Sequence, residues 1–334
     1  MIKGELILMS KNIVLLGHGA GIKFTIESLL NNPKLGYSVK AVVTHPYPDH
    51  ESDLAMIKKR AELYGKYAYN VFNVEEDYGI ALKETPNVND EEVVEMIRNY
   101  QPAYVISIGC RNILKRPFLT TFKNRVLNIH TTPLPRYRGA ANDSWMILNG
   151  EWGSQQYGCI HFVDEGIDTG GIIAKSYYKI PEMCYPIDLF KIRVDTFNDL
   201  LIKGLENLEK PGFTPEVQDI NLSTTFPRLF TPKNGKLNFN DFTSTELIRF
   251  IYAFGYPFEG AHCYLDDIKI NILSARCFSD QSFHSLANGL IFGKNELGEY
   301  KVAVNGGYML IKTIEINGEE IAQNKVFRLG RFLK

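Results

Sequence analysis

The chain has 334 residues with 45% apolar content, which suits two domains and a sizeable core. A formal net charge of −1 removes any global attraction to nucleic acid, so neither nucleic acid nor membrane is expected as a partner. Cys110, Cys159, Cys184, Cys263 and Cys277 lack zinc-type spacing and suit a reducing, cytoplasmic setting, no signal peptide is visible, and the longest apolar runs have strand length.

Met1 to Lys11 reads as a peripheral segment. Asn12 to Leu16 is an apolar run suited to a buried parallel strand. Gly17-His18-Gly19-Ala20-Gly21 follows and opens a helix to about Leu30. The spacing differs from the dinucleotide pattern G-x-G-x-x-G, and the next strand, Val39 to Thr44, ends without an acid for a ribose. NAD or FAD is therefore not expected. Gly17 and His18 form either a tight strand-to-helix turn or an amide nest for a substrate phosphate. His45 and His50 bracket two prolines, which predicts a fixed loop rather than a metal site.

Ser52 to Tyr64 reads as a helix with Ser52 as N-cap and Asp53 in its first turn. Tyr67 to Tyr78 is mixed, with room for a short strand. Asp90 to Tyr100 is an amphipathic helix stopped by Pro102. Tyr104 to Ile108 and Val126 to His130 are short buried strands. This alternation predicts a parallel sheet covered on both faces.

Residues 185–208 read as one long amphipathic helix, with Leu189, Val194, Phe197, Leu201 and Leu205 in its apolar set. Pro211-Gly212 ends it. A short helix is expected from Ser244 to Phe254. Strands follow at Ala261 to Leu265, Lys269 to Ala275, Gly289 to Phe292, Tyr300 to Val304 and Tyr308 to Glu315, with a hairpin turn at Asn305-Gly306-Gly307. Many short strands suggest a small barrel or sandwich. The expected division is an α/β domain over 1–209, a linker over 210–236 and a β-rich domain over 237–334.

Asn128, His130 and Asp168 are the candidate catalytic residues. Asn128 and His130 lie two apart on a predicted strand, so their side chains leave the same face. An amine attacking a formyl group must lose a proton, which a neutral imidazole accepts near pH 7. The Asn128 amide can donate to the oxygen that becomes negative. Asp168 can orient the imidazole and stabilise its charged form.

The flanking residues extend this set. Asn128-Ile129-His130, then Leu134-Pro135-Arg136-Tyr137-Arg138-Gly139-Ala140-Ala141, Trp145, Asn149-Gly150, and His161-Phe162-Val163-Asp164-Glu165-Gly166-Ile167-Asp168-Thr169-Gly170 resemble the folate-dependent formyltransferases. That family includes methionyl-tRNA, glycinamide ribonucleotide and nucleotide-sugar formyltransferases. The match is dense over residues 103–180 and weaker to either side. The resemblance implies a Rossmann-like catalytic domain followed by an open-barrel, OB-like domain. It implies 10-formyltetrahydrofolate as one-carbon donor, no metal, and a catalytic role for Asn128, His130 and Asp168. The folate would sit against two segments, one carrying Ile108, Arg111, Asn112, Ile113 and Leu114, the other Val163, Asp164, Glu165 and Ile167. Cys110 lies in the first segment and reads as a small buried residue.

The second domain argues against the purine-pathway enzyme, which commonly resembles only the first. A tRNA ligand needs a phosphate-tracking basic surface, and no run of the sequence supplies one. Phe254-Gly255-Tyr256-Pro257-Phe258-Glu259-Gly260-Ala261 resembles a turn of the sugar-nucleotide formyltransferases. Tyr256 or Phe258 either stacks on a base or packs the turn. Arg136 and Arg138 either hold a diphosphate or pack the proline-rich loop. The expected substrate is a nucleotide-linked amino deoxysugar, as in lipopolysaccharide O-antigen assembly. The alternatives are methionyl-tRNA and a non-catalytic folate or nucleotide binding module. A homodimer through the second domain is compatible with this reading.

Overall fold

The computed structural model describes residues 10–46 and 61–334. The peripheral segment before Ser10, His50, the predicted cap Ser52 and first-turn Asp53 lie outside the described residues. The chain forms two compact units. One comprises residues up to 139 with 155–179 and 191–225; the other comprises 140–154, 180–190 and 226–334.

The first unit is built on a seven-stranded sheet. Its strands are β1 (Lys11–Gly17), β2 (Tyr37–Thr44), β3 (Ala81–Glu84), β4 (Tyr104–Ile108), β5 (Val126–His130), β7 (Gln155–Phe162) and β8 (Ile172–Lys179), β6 (Arg138–Gly139) and β9 (Thr225–Phe226) being two-residue strands outside it. The order is β3-β2-β1-β4-β5-β7-β8. The pairs from β3 to β5 are parallel, whereas β5–β7 and β7–β8 are antiparallel. The sheet is thus mixed. The loop joining β7 to β8 is too short for the crossover of a dozen or more residues that parallel neighbours require.

Alternation along each strand fills both faces. Ile13 and Leu15 of β1 meet Ile22 and Ile26 of the helix Ala20–Asn31 and Leu201 and Leu205 of the helix Phe197–Glu209. Val14 and Leu16 join Val93 and Ile97 of the helix Glu91–Asn99 and Phe118 on the opposite face. Gly17, which ends β1, and Gly21 serve close packing. A Cβ at Gly17 would stand 1.9 Å from the Ile108 carbonyl oxygen, and one at Gly21 would stand 2.4 Å from Ile108 Cγ2.

Two expected elements differ. Residues 67–78 hold short helical turns ending in the helix Val74–Tyr78, and the strand comes after them as β3. The long helix over 185–208 is two helices, Pro186–Asp195 and Phe197–Glu209. They part at Thr196, whose hydroxyl donates to the Arg193 carbonyl at 2.7 Å. Such local side-chain bonds compete with the helical ladder.

The second unit is antiparallel and β-rich. Its strands are β10 (Ala261–Leu265), β11 (Ile268–Phe278), β12 (Ile291–Lys294), β13 (Tyr300–Val304) and β14 (Gly307–Ile316), in the order β10-β11-β14-β13-β12. The helix Ser244–Ala253 starts in a capping box between Thr243 and Glu246. Ser144 of the helix Asn142–Leu148 donates to the Ala253 carbonyl at 2.8 Å. Residues 330–334 bond to Tyr264 at the end of β10 and to Gly289 and Ile291 at the start of β12. This segment bridges the two edges, which makes the sheet an open barrel.

Candidate active site

β5 is flanked by two strands, and its C-terminal end carries Asn128 and His130. Asn128 is level with Ser107 of β4 and His161 of β7; His130 is level with Cys159. Asp168 comes from the loop after β7 and adopts a left-handed φ of 53°. Its Oδ2 accepts the Gly139 N–H at 2.8 Å and lies 3.7 Å from His130 Nδ1. Its Oδ1 lies 3.5 Å from Asn128 Nδ2. The structure therefore brings Asn128, His130 and Asp168 together.

The surroundings set the tautomer of His130. Its Nε2 is 2.6 Å from the Tyr137 carbonyl and 2.8 Å from Thr132 Oγ1. A carbonyl only accepts, so Nε2 carries the hydrogen, and the basic nitrogen of the neutral ring is Nδ1, on the Asp168 side. Burial pushes the proton affinity of His130 below the ordinary imidazole value; Asp168 opposes this, while His161 and Arg193 add to it. Burial alone would raise the Asp168 carboxyl, but His130, His161 and the Gly139 amide together hold it well below the usual carboxylate range. At neutral pH the site holds a neutral base beside a carboxylate.

His161 is part of the site, although the sequence assigned it no role. It is 1% exposed. Its Nδ1 donates to the Phe162 carbonyl at 2.7 Å, which leaves Nε2 to accept from Asn128 Nδ2 at 3.1 Å. That bond fixes which way the Asn128 amide faces. The signal for it is strand register, which a sequence does not print. Arg193, also buried, donates to Thr131 Oγ1, and Tyr178 donates to the Thr131 carbonyl at 3.1 Å. Both steady the residue that follows His130.

The other candidate residues are distributed as follows. Gly17 ends β1 level with Ile108, where the strand order reverses between β1 and β4, and the His18 ring packs edge-on against His45 at 4.9 Å. Open α/β sheets bind ligands at such reversals. Ile108 and Leu114 are buried, and Arg111 is exposed. Asn112 accepts the Val88 N–H at 3.2 Å and donates to the Pro86 carbonyl at 3.1 Å. Val163 joins β5 through the Val126 carbonyl at 2.9 Å. Asp164 accepts from the Gly166 N–H and the Thr169 hydroxyl. Glu165 pairs with Arg116 at 3.1 Å, linking the start of the helix Arg116–Thr121, which follows the loop after β4, to the loop after β7. Ile113 and Ile167, one on each segment, are 69% and 48% exposed. Cys110 Sγ donates to the Asn112 carbonyl, and burial pushes its thiol up.

Arg136 donates to Gln156 Oε1 at 2.8 Å. Arg138 is 4% exposed, and its guanidinium is held by Gln218 Oε1 at 2.8 and 3.2 Å. Tyr256 and Phe258 belong to the second unit and are half-buried. There Tyr256 packs edge-on against Tyr185 at 5.4 Å, and its carbonyl accepts the Ile187 N–H at 3.1 Å. Among the described residues, no group of three or more His, Cys, Asp or Glu is placed to hold a metal ion, and no helix is long and apolar enough to cross a membrane.

The model of the formyl transferase family matches residues 12–195, and that of the formyl transferase C-terminal domain matches residues 230–331. The chain belongs to the formyl transferase family. It is 26% identical over 322 residues to the methionyl-tRNA formyltransferase of Lachnospira eligens, covering 93% of this chain and 95% of that protein. Its fold is that of WlaRD, a sugar 3N-formyl transferase solved in the presence of dTDP and 5-N-formyl-THF, at a TM-score of 0.61 and 19% identity over 91% of this chain and 97% of that one. It is also that of the Helicobacter canadensis N-formyltransferase in complex with folinic acid and dTDP-3-aminofucose, at a TM-score of 0.62 and 19% identity over 90% and 98% of the two chains.

Proposed function

We propose that this formyltransferase moves a formyl group from 10-formyltetrahydrofolate to the amine of a nucleotide-linked amino deoxysugar. The observation that carries the chemistry is the cluster of Asn128, His130, Asp168 and His161. His130 Nδ1 takes the proton that the attacking amine loses. Asp168, 3.7 Å away, stabilises the imidazolium so formed. Asn128 has one hydrogen committed to His161 at 3.1 Å and the other on a long 3.5 Å contact with Asp168. That second hydrogen is the one Asn128 turns to the formyl oxygen as negative charge develops there. His130 then returns the proton to the departing nitrogen.

The folate segments suit a flat, partly apolar ligand. Ile113 and Ile167 offer exposed apolar surface on two loops, the second tied by the Arg116–Glu165 pair to the helix that follows the first. When bound, the folate supplies the activated one-carbon unit. The roles of Asn128, His130 and Asp168, the use of Gly17-His18 and the two isoleucine-bearing loops, and the assignment of 1–209 as the catalytic domain are parts of this proposal.

For the acceptor, a net charge of −1 and the lack of a basic run favour a small nucleotide sugar over a tRNA. Two solved structures of this fold contain dTDP or a dTDP-linked amino sugar. The second reading is methionyl-tRNA, favoured by relatives such as those of Lachnospira eligens and Thermodesulfovibrio yellowstonii, which match along nearly their whole length. The test is incubation with 10-formyltetrahydrofolate and a panel of nucleotide amino sugars, free amino sugars and charged initiator tRNA. A formyl mass increment on a nucleotide sugar is expected. Formylation of the tRNA alone, or equal rates with the free sugar, would end the sugar-nucleotide reading.

A further inference from the structure

Gln218 lies in the polar stretch between the two family-model matches, where the sequence suggested only a linker. The structure pins that stretch to the site. Glu216 and Ile172 exchange two backbone bonds of 2.8 Å, and Thr224 bonds the backbones of Pro135 and Arg138. Between these anchors, the Gln218 carboxamide is fully used. Its Nε2 donates to the carbonyls of Asp168 at 2.8 Å and Gly170 at 2.7 Å, and its Oε1 accepts from Arg138.

These bonds close a ring. Asp168 is held at its carboxylate by the N–H of Gly139 and at its backbone by Gln218, which also holds the residue before Gly139. The conformation so held is an uncommon one: φ at Asp168 is 53°, in the left-handed region that residues with a Cβ seldom adopt. Such a conformation persists where neighbours over-determine it. Leaving a buried guanidinium and two carbonyls without partners would also be costly. The chemistry of an amide, donor at one end and acceptor at the other, is what this position requires.

We propose that Gln218 is a positioning residue for formyl transfer, holding the Asp168 carboxylate between His130 and Asn128 and tying Arg138 to the same loop. The inference rests on the catalytic reading of Asp168 above. Gln218→Glu is the sharper variant, because it keeps the shape and the acceptor for Arg138 while removing the donor to both carbonyls. Gln218→Ala removes both ends.

The test measures kcat and KM, with the acceptor identified by the panel above, for wild type, both Gln218 variants, Asp168→Asn and the double variants; thermal melts check the fold. Each Gln218 variant should lose about 10–100-fold in kcat, as expected for a misplaced catalytic group, with KM within about 3-fold. In the Asp168→Asn background the same changes should cost almost nothing, because the effect passes through Asp168. A second readout is imidazole NMR of His130, which is faced by Asp168, His161, Arg193, Thr132 and the Tyr137 carbonyl. A displaced Asp168 should move its titration to lower pH. Equal losses in both backgrounds, an unmoved titration, or a lowered melting temperature with wild-type kcat would overturn the proposal alone. Asp168→Asn at the wild-type rate would overturn the catalytic reading and this inference with it.

Discussion

Asp168→Asn isolates one charge with little else disturbed. Asparagine tolerates the left-handed φ of 53° that alanine would resist, and its carbonyl can still accept the Gly139 N–H. What disappears is the attraction between the carboxylate and the imidazolium formed as His130 accepts the proton. At the observed 3.7 Å and an effective dielectric of about 20, that attraction is roughly 4 kcal/mol. The Asp168 side chain keeps 17% exposure, so water screens part of it, and about 3–4 kcal/mol is the working figure. The expected loss is therefore about 10²–10³-fold in kcat. The pH profile should change in a specific direction. Asp168 raises the proton affinity of His130 against the effect of burial. Without it, the acid limb of kcat/KM should move to lower pH while the plateau falls. Steady-state rates from pH 5 to 9 read both effects. A kcat within a few-fold of wild type, or an acid limb displaced upward, would refute this account.

His130→Asn should cost about 10²–10⁴-fold and abolish the acid limb, which in the wild type should lie below 6.5 because burial disfavours the imidazolium; a limb above that value contradicts the assignment. Asn128→Ala should lower kcat by an amount equivalent to roughly 3–4 kcal/mol with substrate affinity nearly kept, and Asn128→Asp should do worse, since it adds a charge beside the formyl oxygen. Loss of binding with kcat retained would make Asn128 a substrate anchor instead. Gly17→Ala should destabilise the fold by more than about 2 kcal/mol in urea unfolding, because the new methyl would stand 1.9 Å from a backbone oxygen. A wild-type midpoint would show that β1 and β4 can part at that point. Tyr256→Ala and Phe258→Ala separate stacking from packing: a stacking ring should take about 1–3 kcal/mol from nucleotide affinity by calorimetry, whereas a packing ring should lower the melting temperature and leave affinity alone.

The pair Asn128 and His130 was legible because strand alternation alone puts both on one face. Asp168 was not reachable from spacing, since a loop returns it to β5, and only the ordered motif named it. His161 escaped because it meets Asn128 through register across an antiparallel pair, and nothing in an apolar strand announces its partner or its direction. The same blindness hid the antiparallel turn of the sheet at β7. The break at Thr196 was invisible because the apolar period runs through it, while a single hydroxyl ends the helix. Polar composition made the stretch before Lys236 read as a spacer. Its backbone bonds to Ile172, Pro135 and Arg138 come from partners more than 40 residues upstream, which no local pattern encodes.

The bridging of β10 and β12 by residues 330–334 sets a time order. Strands 261–265 and 291–294 are synthesised before that segment, which covers the outer row of 291–294 at Ile291 and, together with residues 235–237 at His262, the outer row of 261–265. Until that segment is synthesised, the edge at 291–294 stays open and that at 261–265 is covered in part, and open edges invite strand addition from other chains. A chain truncated before residue 330 should thus be more prone to self-association than one that keeps residues 330–334, even though the first unit contains every residue of the proposed formyl-transfer cluster.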